Sequence, residues 1–191
     1  MDEEWKKCIL SYIDIIGVKA HAKDSRGSSI MRRLQSYVTN GFEKHLSNHD
    51  HAYVWNDSVL IVAYLKDHRG EKMKLLREVN DFKRYLDTAL VMPSFAVVVE
   101  GMTFPSTVSS PGSGVGDANS SKVTVLKASS WAMANCFEIE RELKRRKLKK
   151  NWYIDSRVTK GLRRPSREDM QVTLLPANRE RAVSMYDDYL W

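Results

Sequence analysis

The sequence predicts an α+β fold with the element order β-α-β-β-α-β, followed by a further strand-helix-strand. Apolar runs of strand length recur at 8–16, 58–65 and 95–99. Between them lie two longer segments with apolar residues at helical spacing. The chain has no internal repeat, and its 191 residues suffice for one well-filled domain.

Residues 8–16 are continuously apolar apart from Ser11 and Asp14, as in a buried strand. A helix follows over 28–47, with Ile30, Leu34, Tyr37 or Val38, and Leu46 on one side; Gly41 weakens its second half. Short strands near 52–55 and 58–65 join tightly at Asn56-Asp57. Leu75, Val79, Phe82, Leu86 and Leu90 set a second helix over 70–91, which Pro93 stops. Phe95-Ala96-Val97-Val98-Val99 makes the fourth strand, ended by Gly101. This order is the split ferredoxin-like unit. The stretch 105–121 is rich in Ser, Gly and Pro and reads as a loop.

Beyond the loop come a strand at 122–127, a helix at 130–149 and a strand at 152–158. Ser129 or Ser130 caps that helix, and Ala132, Cys136, Ile139 and Leu143 form its buried stripe. The expected division is a domain over 1–158 and a tail over 159–191 that packs on the domain or on a partner subunit. A short helix is expected in the tail at Arg179–Tyr189.

Lysine and arginine number 31 against 24 acids, a formal charge of +7. That balance suits an anionic partner. The run 144–150 concentrates bases, but basic side chains also favour a helix C-terminus. No apolar stretch reaches the roughly 18 residues of a membrane span, and the acidic N-terminus does not resemble a signal peptide. Cys8 and Cys136 both lie in apolar patterns and read as small buried hydrophobes in a reducing compartment. A cytoplasmic protein with no membrane partner is therefore expected.

Two acids stand out. Asp14 interrupts the first apolar run, and Asp57 lies between two more. Burying an unpaired carboxylate is costly, so each asks for a partner. In the usual 4-1-3-2 strand order, strands 1 and 3 are antiparallel neighbours. The C-terminal half of strand 1 then lies beside the hairpin turn, which brings Asp14 and Asp57 to one edge of the sheet. Mg²⁺ is commonly held by one or two carboxylates plus phosphates and water. Two such ions about 3.5–4 Å apart can activate an attacking oxygen and steady a leaving one. The turn after Ile16, with Gly17, Val18 and Lys19, offers backbone N–H groups and charge to phosphates; Lys23 and Arg26 could add more.

At these residues the chain resembles the class III nucleotidyl cyclases. Asp14-Ile15-Ile16-Gly17 is similar to their first metal motif, and Asn56-Asp57-Ser58 to their hairpin motif. The segment from Ala132 to Glu140, then Trp152-Tyr153-Ile154-Asp155, resembles their later helix-then-strand element. The short, single-domain form looks most like the pyrimidine cyclases of bacterial antiphage defence, the Pycsar type. The resemblance covers residues 8–158. It implies a palm or cyclase-type core and two Mg²⁺ or Mn²⁺ ions on Asp14, Asp57 and the Ile15 carbonyl. It also implies a nucleoside triphosphate substrate, cyclic UMP or cyclic CMP as product, a head-to-tail homodimer and a downstream cyclic-nucleotide effector.

One feature departs from the family. Its purine cyclases carry an Asn-x-x-x-Arg pattern on the later helix; here Ala132 with Cys136, Ala134 with Glu138, or Asn135 with Ile139 falls at that spacing. The arginine must then come from Arg141, Arg145 or Arg157, or the chain is a catalytically silent cyclase-fold protein serving as nucleotide sensor or partner. The family's purine-reading Lys and Asp pair cannot be placed either. An RNA-binding ferredoxin-like module is a third reading, but the strand at 58–64 lacks the stacking aromatics such modules need. The hairpin does not match the Gly-Gly-Asp/Glu-Glu-Phe signature of diguanylate cyclases. His45, His49 and His51 read as polar residues preceding a strand, and no local Ser/His/Asp or Cys/His signature is present.

Overall fold

Period-two and helical patterns become eleven elements in the computed structural model, which describes residues 5–18, 25–65, 71–103, 130–147, 151–160, 170–174 and 181–186. They are β1 (Lys6–Ile15), α1 (Ser25–His45), β2 (His51–Trp55), β3 (Ser58–Tyr64), α2 (Glu71–Leu90), β4 (Ser94–Thr103), α3 (Trp131–Arg145), β5 (Trp152–Asp155), α4 (Ser156–Thr159), β6 (Met170–Leu174) and β7 (Arg181–Tyr186). The strands share one sheet, ordered β2-β3-β1-β4-β5-β7-β6 among the described residues. The β-α-β-β-α-β unit and its 4-1-3-2 order stand as the sequence predicts. The strand expected at 122–127 and the loop at 105–121 lie outside the described residues.

β1 is central, antiparallel to β3 on one side and to β4 on the other. It is apolar on both faces because both are covered. Ile9, Ile13 and Ile15 join a core with Leu34 and Val38 of α1 and Leu75, Val79, Phe82 and Leu86 of α2. Cys8, Leu10 and Tyr12 turn the other way, towards Ala132, Cys136, Ile139 and Leu143 of α3. That stripe is the one read from the sequence. Both cysteines are buried thiols, and burial pushes Cys8 up to about 12.

α1 runs unbroken through Gly41, whose missing Cβ admits Tyr85 of α2; a Cβ there would lie 2.6 Å from Tyr85 Cε1. Ser130 caps α3, its Oγ accepting from the Met133 N–H at 3.1 Å. At the turn into β2, Glu78 of α2 accepts hydrogen bonds from Ser47 Oγ at 3.3 Å and the Asn48 N–H at 3.1 Å. His49 Nδ1 lies 3.1 Å from the same carboxylate, so this histidine clamps a turn.

Three expectations are corrected. Gly101 does not end β4, which runs on to Thr103. Its role is close approach: a Cβ there would sit 2.9 Å from Ala132 Cα, so the glycine lets α3 lie down on the sheet. The strand expected over 152–158 stops at Asp155, whose carboxylate accepts from the Arg157 N–H at 2.9 Å and starts α4. The helix expected at Arg179–Tyr189 is instead strand β7, antiparallel to both β5 and β6. Its alternation explains this: Val183 and Met185 join the core under α3, while Tyr186 joins the core on the opposite face.

Candidate functional site

The β1–β3 register sets Asp14 opposite Ser58, the first residue of β3. Asp57 is therefore next to Asp14's partner, and the Ile15 N–H donates to the Asp57 carbonyl at 3.0 Å. The two acids lie at one end of the sheet, the end reached by the C-terminus of β1. Asn56 takes the left-handed backbone conformation of the two-residue hairpin, at φ 51°. Asn tolerates this conformation better than most residues. The turn's strained position thus belongs to Asn56, and Asp57 is not required for it.

Asp14 is half-buried. Ser58 Oγ donates to its Oδ1 at 2.8 Å. The Tyr12 hydroxyl lies 2.9 Å from Ser58 Oγ and 3.4 Å from Glu140 Oε1. Because Ser58 gives its hydrogen to Asp14, Tyr12 donates to Ser58. From α3, Lys144 Nζ reaches within 3.6 Å of Asp14 Oδ2 and bonds Glu140 Oε1. Burial pushes the Asp14 carboxyl above the usual carboxylate range. The Ser58 hydroxyl and the Lys144 ammonium oppose that rise, while the charges of Asp57 and Glu140 add to it. Phe95, opposite Asp14 on β4, and Phe137 of α3 pack edge-on against Tyr12, with ring centroids 6.4 and 5.6 Å away.

The turn after β1 carries the other residues singled out in the sequence. Gly17 has a positive φ of 96°, which favours glycine, and Val18 is buried. The Ile16 N–H donates to the Pro93 carbonyl at 2.8 Å, fastening the turn to the start of β4. Lys19 and Lys23, and the side chain of Arg26, lie outside the described residues. Of the arginines considered for transition-state charge, Arg141 is exposed on α3, and Arg145 is bonded to Glu142 at 2.8 and 2.6 Å. Arg157 is bonded to Asp155, one residue beyond Ile154, which pairs with Val98. Asp14 is level with Phe95, so Arg157 sits further along the sheet. Asn135 and Ile139 are buried, whereas Ala134 and Glu138 face solvent.

Sequence reasoning missed Glu140 and Lys144. The signal was available: Glu140 lies four residues past Cys136, at the edge of a buried stripe, and Lys144 four further on. A charge at that place is there for a partner. Among the described residues no group of three or more His, Cys, Asp or Glu is arranged to hold a metal ion. At this end of the sheet the carboxylate of Asp14 has the charges of Asp57 and Glu140 near it. No described helix is long and apolar enough to cross a membrane.

No protein-family model matches the chain, and no curated protein matches it. Solved structures do. The chain is similar to the guanylyl cyclase Cya2, with a TM-score of 0.62 and 11% identity over 97% of this chain and 93% of that one. A bacterial light-regulated adenylyl cyclase gives 0.63 and 12%, over 97% and 92%. The adenylyl cyclase CyaB from P. aeruginosa gives 0.61 and 9%, over 98% and 97%. Likeness at such identity establishes the fold, which is the α+β palm of these cyclases.

Proposed function

We propose that the chain is a metal-dependent nucleotide cyclase, converting a pyrimidine nucleoside triphosphate to its 3′,5′-cyclic mononucleotide and pyrophosphate. The observation that carries this reading is the placement of Asp14 and Asp57 at adjoining positions on one end of the sheet. The palm fold shared with adenylyl and guanylyl cyclases supports it. The pyrimidine choice rests on the resemblance of these motifs to the Pycsar-type enzymes, and a purine-reading Lys and Asp pair is not placed in the sequence. On the same resemblance, two copies complete the site, and the product serves a downstream effector in cytoplasmic antiphage defence.

The residues fit a hard divalent cation. Asp14 is a carboxylate carried above its usual range by burial, in a place where extra positive charge would be favourable. Two carboxylates, with the Ile15 carbonyl, form the all-oxygen partial set that Mg²⁺ or Mn²⁺ completes with phosphates and water. Bound there, a pair of ions would make the ribose 3′-hydroxyl a better nucleophile and draw charge from the leaving pyrophosphate.

The chain's own residues supply the rest. Ser58 fixes the direction of Asp14 Oδ1, and Tyr12 fixes Ser58. The turn at Gly17 and Val18 would offer its main-chain N–H groups to phosphate oxygens. Phe95 and Phe137 keep water from one side of Tyr12.

Incubation with each of the four ribonucleoside triphosphates and Mn²⁺ or Mg²⁺, read by mass spectrometry, tests the reading. A cyclic mononucleotide from UTP or CTP, absent with Asp14→Asn, is the expected result. A product from ATP or GTP alone would contradict the pyrimidine assignment. No product from any of the four would favour the second reading, a catalytically silent cyclase-fold protein. One observation speaks for that alternative: two of the three candidate arginines, Arg145 and Arg157, are bonded to acids away from Asp14, which leaves Arg141.

A further inference from the structure

We propose that Lys144 is a resident counter-ion of Asp14, displaced when a divalent cation arrives. The inference rests on the metal reading of Asp14 above and adds to it a positioning residue from α3. The Lys144 ammonium lies 3.6 Å from Asp14 Oδ2. It is also bonded to Glu140 one helical turn back and stands 5.9 Å from the centre of the Phe95 ring. Phe95 is the residue opposite Asp14 in the β1–β4 register. Three contacts from three elements thus hold one cation at the carboxylate proposed to take the metal.

The energetics favour exchange over a permanent bond. The Lys144 side chain is 53% exposed, and its four-carbon stem is flexible. An ion pair of that exposure contributes little, so it is easily given up. A divalent ion on the same oxygen carries twice the charge and repels the ammonium. The i,i+4 bond to Glu140 then keeps the displaced lysine on its helix, ready to return when the metal leaves. Neighbouring bases are less suited to such an exchange, because Arg145 and Arg146 both hold Glu142.

The test is a Mn²⁺ titration of the full chain without nucleotide, with free Mn²⁺ read by electron paramagnetic resonance. Wild type, Lys144→Met, Lys144→Arg and Asp14→Asn are compared. Removing the resident charge should tighten Mn²⁺ binding by about two- to fivefold, and Lys144→Arg should stay close to wild type. The difference between Lys144→Met and wild type should shrink in high salt, which a purely structural role would not produce. Lys144→Gln repeats the test with a polar side chain, and melting curves check that each variant is folded. Unchanged or weaker binding in both neutral variants overturns the proposal. Loss of binding in Asp14→Asn alongside such a result confines the failure to Lys144. Wild-type binding in Asp14→Asn would instead sink the metal reading, and this inference with it.

Discussion

Asp14 is maintained against its own contribution to stability. Its carboxyl is raised by burial, so the folded chain prefers the protonated acid more than the unfolded chain does. Below the ordinary carboxylate range Asp14 is protonated in both states and costs nothing. As pH rises through its raised folded value, ionisation becomes a penalty that persists at neutral pH. Asp14→Asn should therefore melt no lower than wild type at pH 7, and the two should converge as pH falls through the carboxylate range. A variant that melts well below wild type at pH 7 would mean that the Lys144 and Ser58 contacts outweigh the burial. The acid was legible in the sequence because it interrupts an apolar run. Glu140 and Lys144 were legible only as charges beside a buried stripe, because which turn of α3 lies over β1 is decided by tertiary packing.

The packing of α3 on the sheet turns on a few atoms. Gly101 reads in sequence as a strand ending, since glycine weakens strands. In the fold it is the point where α3 touches β4, with Ala132 Cα 2.9 Å from where a Cβ would be. The sequence shows the residue but not the helix arriving from another part of the chain. Gly101→Ala should lift the start of α3 and cost about 1–3 kcal/mol in chemical unfolding. A change well under that range would show that the helix shifts freely. The strand β7 was misread for a related reason. Its six residues permit either period, and the edge of β5 that recruits them is visible only once the sheet exists.

Across the molecule, the sheet order is what builds the proposed site. The 4-1-3-2 core was legible because four strands and two long helices each keep their own period, leaving few ways to cover both faces of β1. The extension through β5, β7 and β6 was only partly so, since β5 is four residues long and β6 and β7 are joined through a proline-containing segment. That order sets the C-terminal end of β1 beside the β2–β3 turn, and so sets Asp14 beside Asp57. The most direct test removes one member of the pair without disturbing the turn. Asn56 holds the left-handed position of the hairpin, so Asp57→Ala should fold and melt like wild type. Cyclic mononucleotide formation from the preferred triphosphate, measured for Asp57→Ala at saturating Mn²⁺, should then fall to background. Turnover at the wild-type rate in that variant would contradict the paired-carboxylate site.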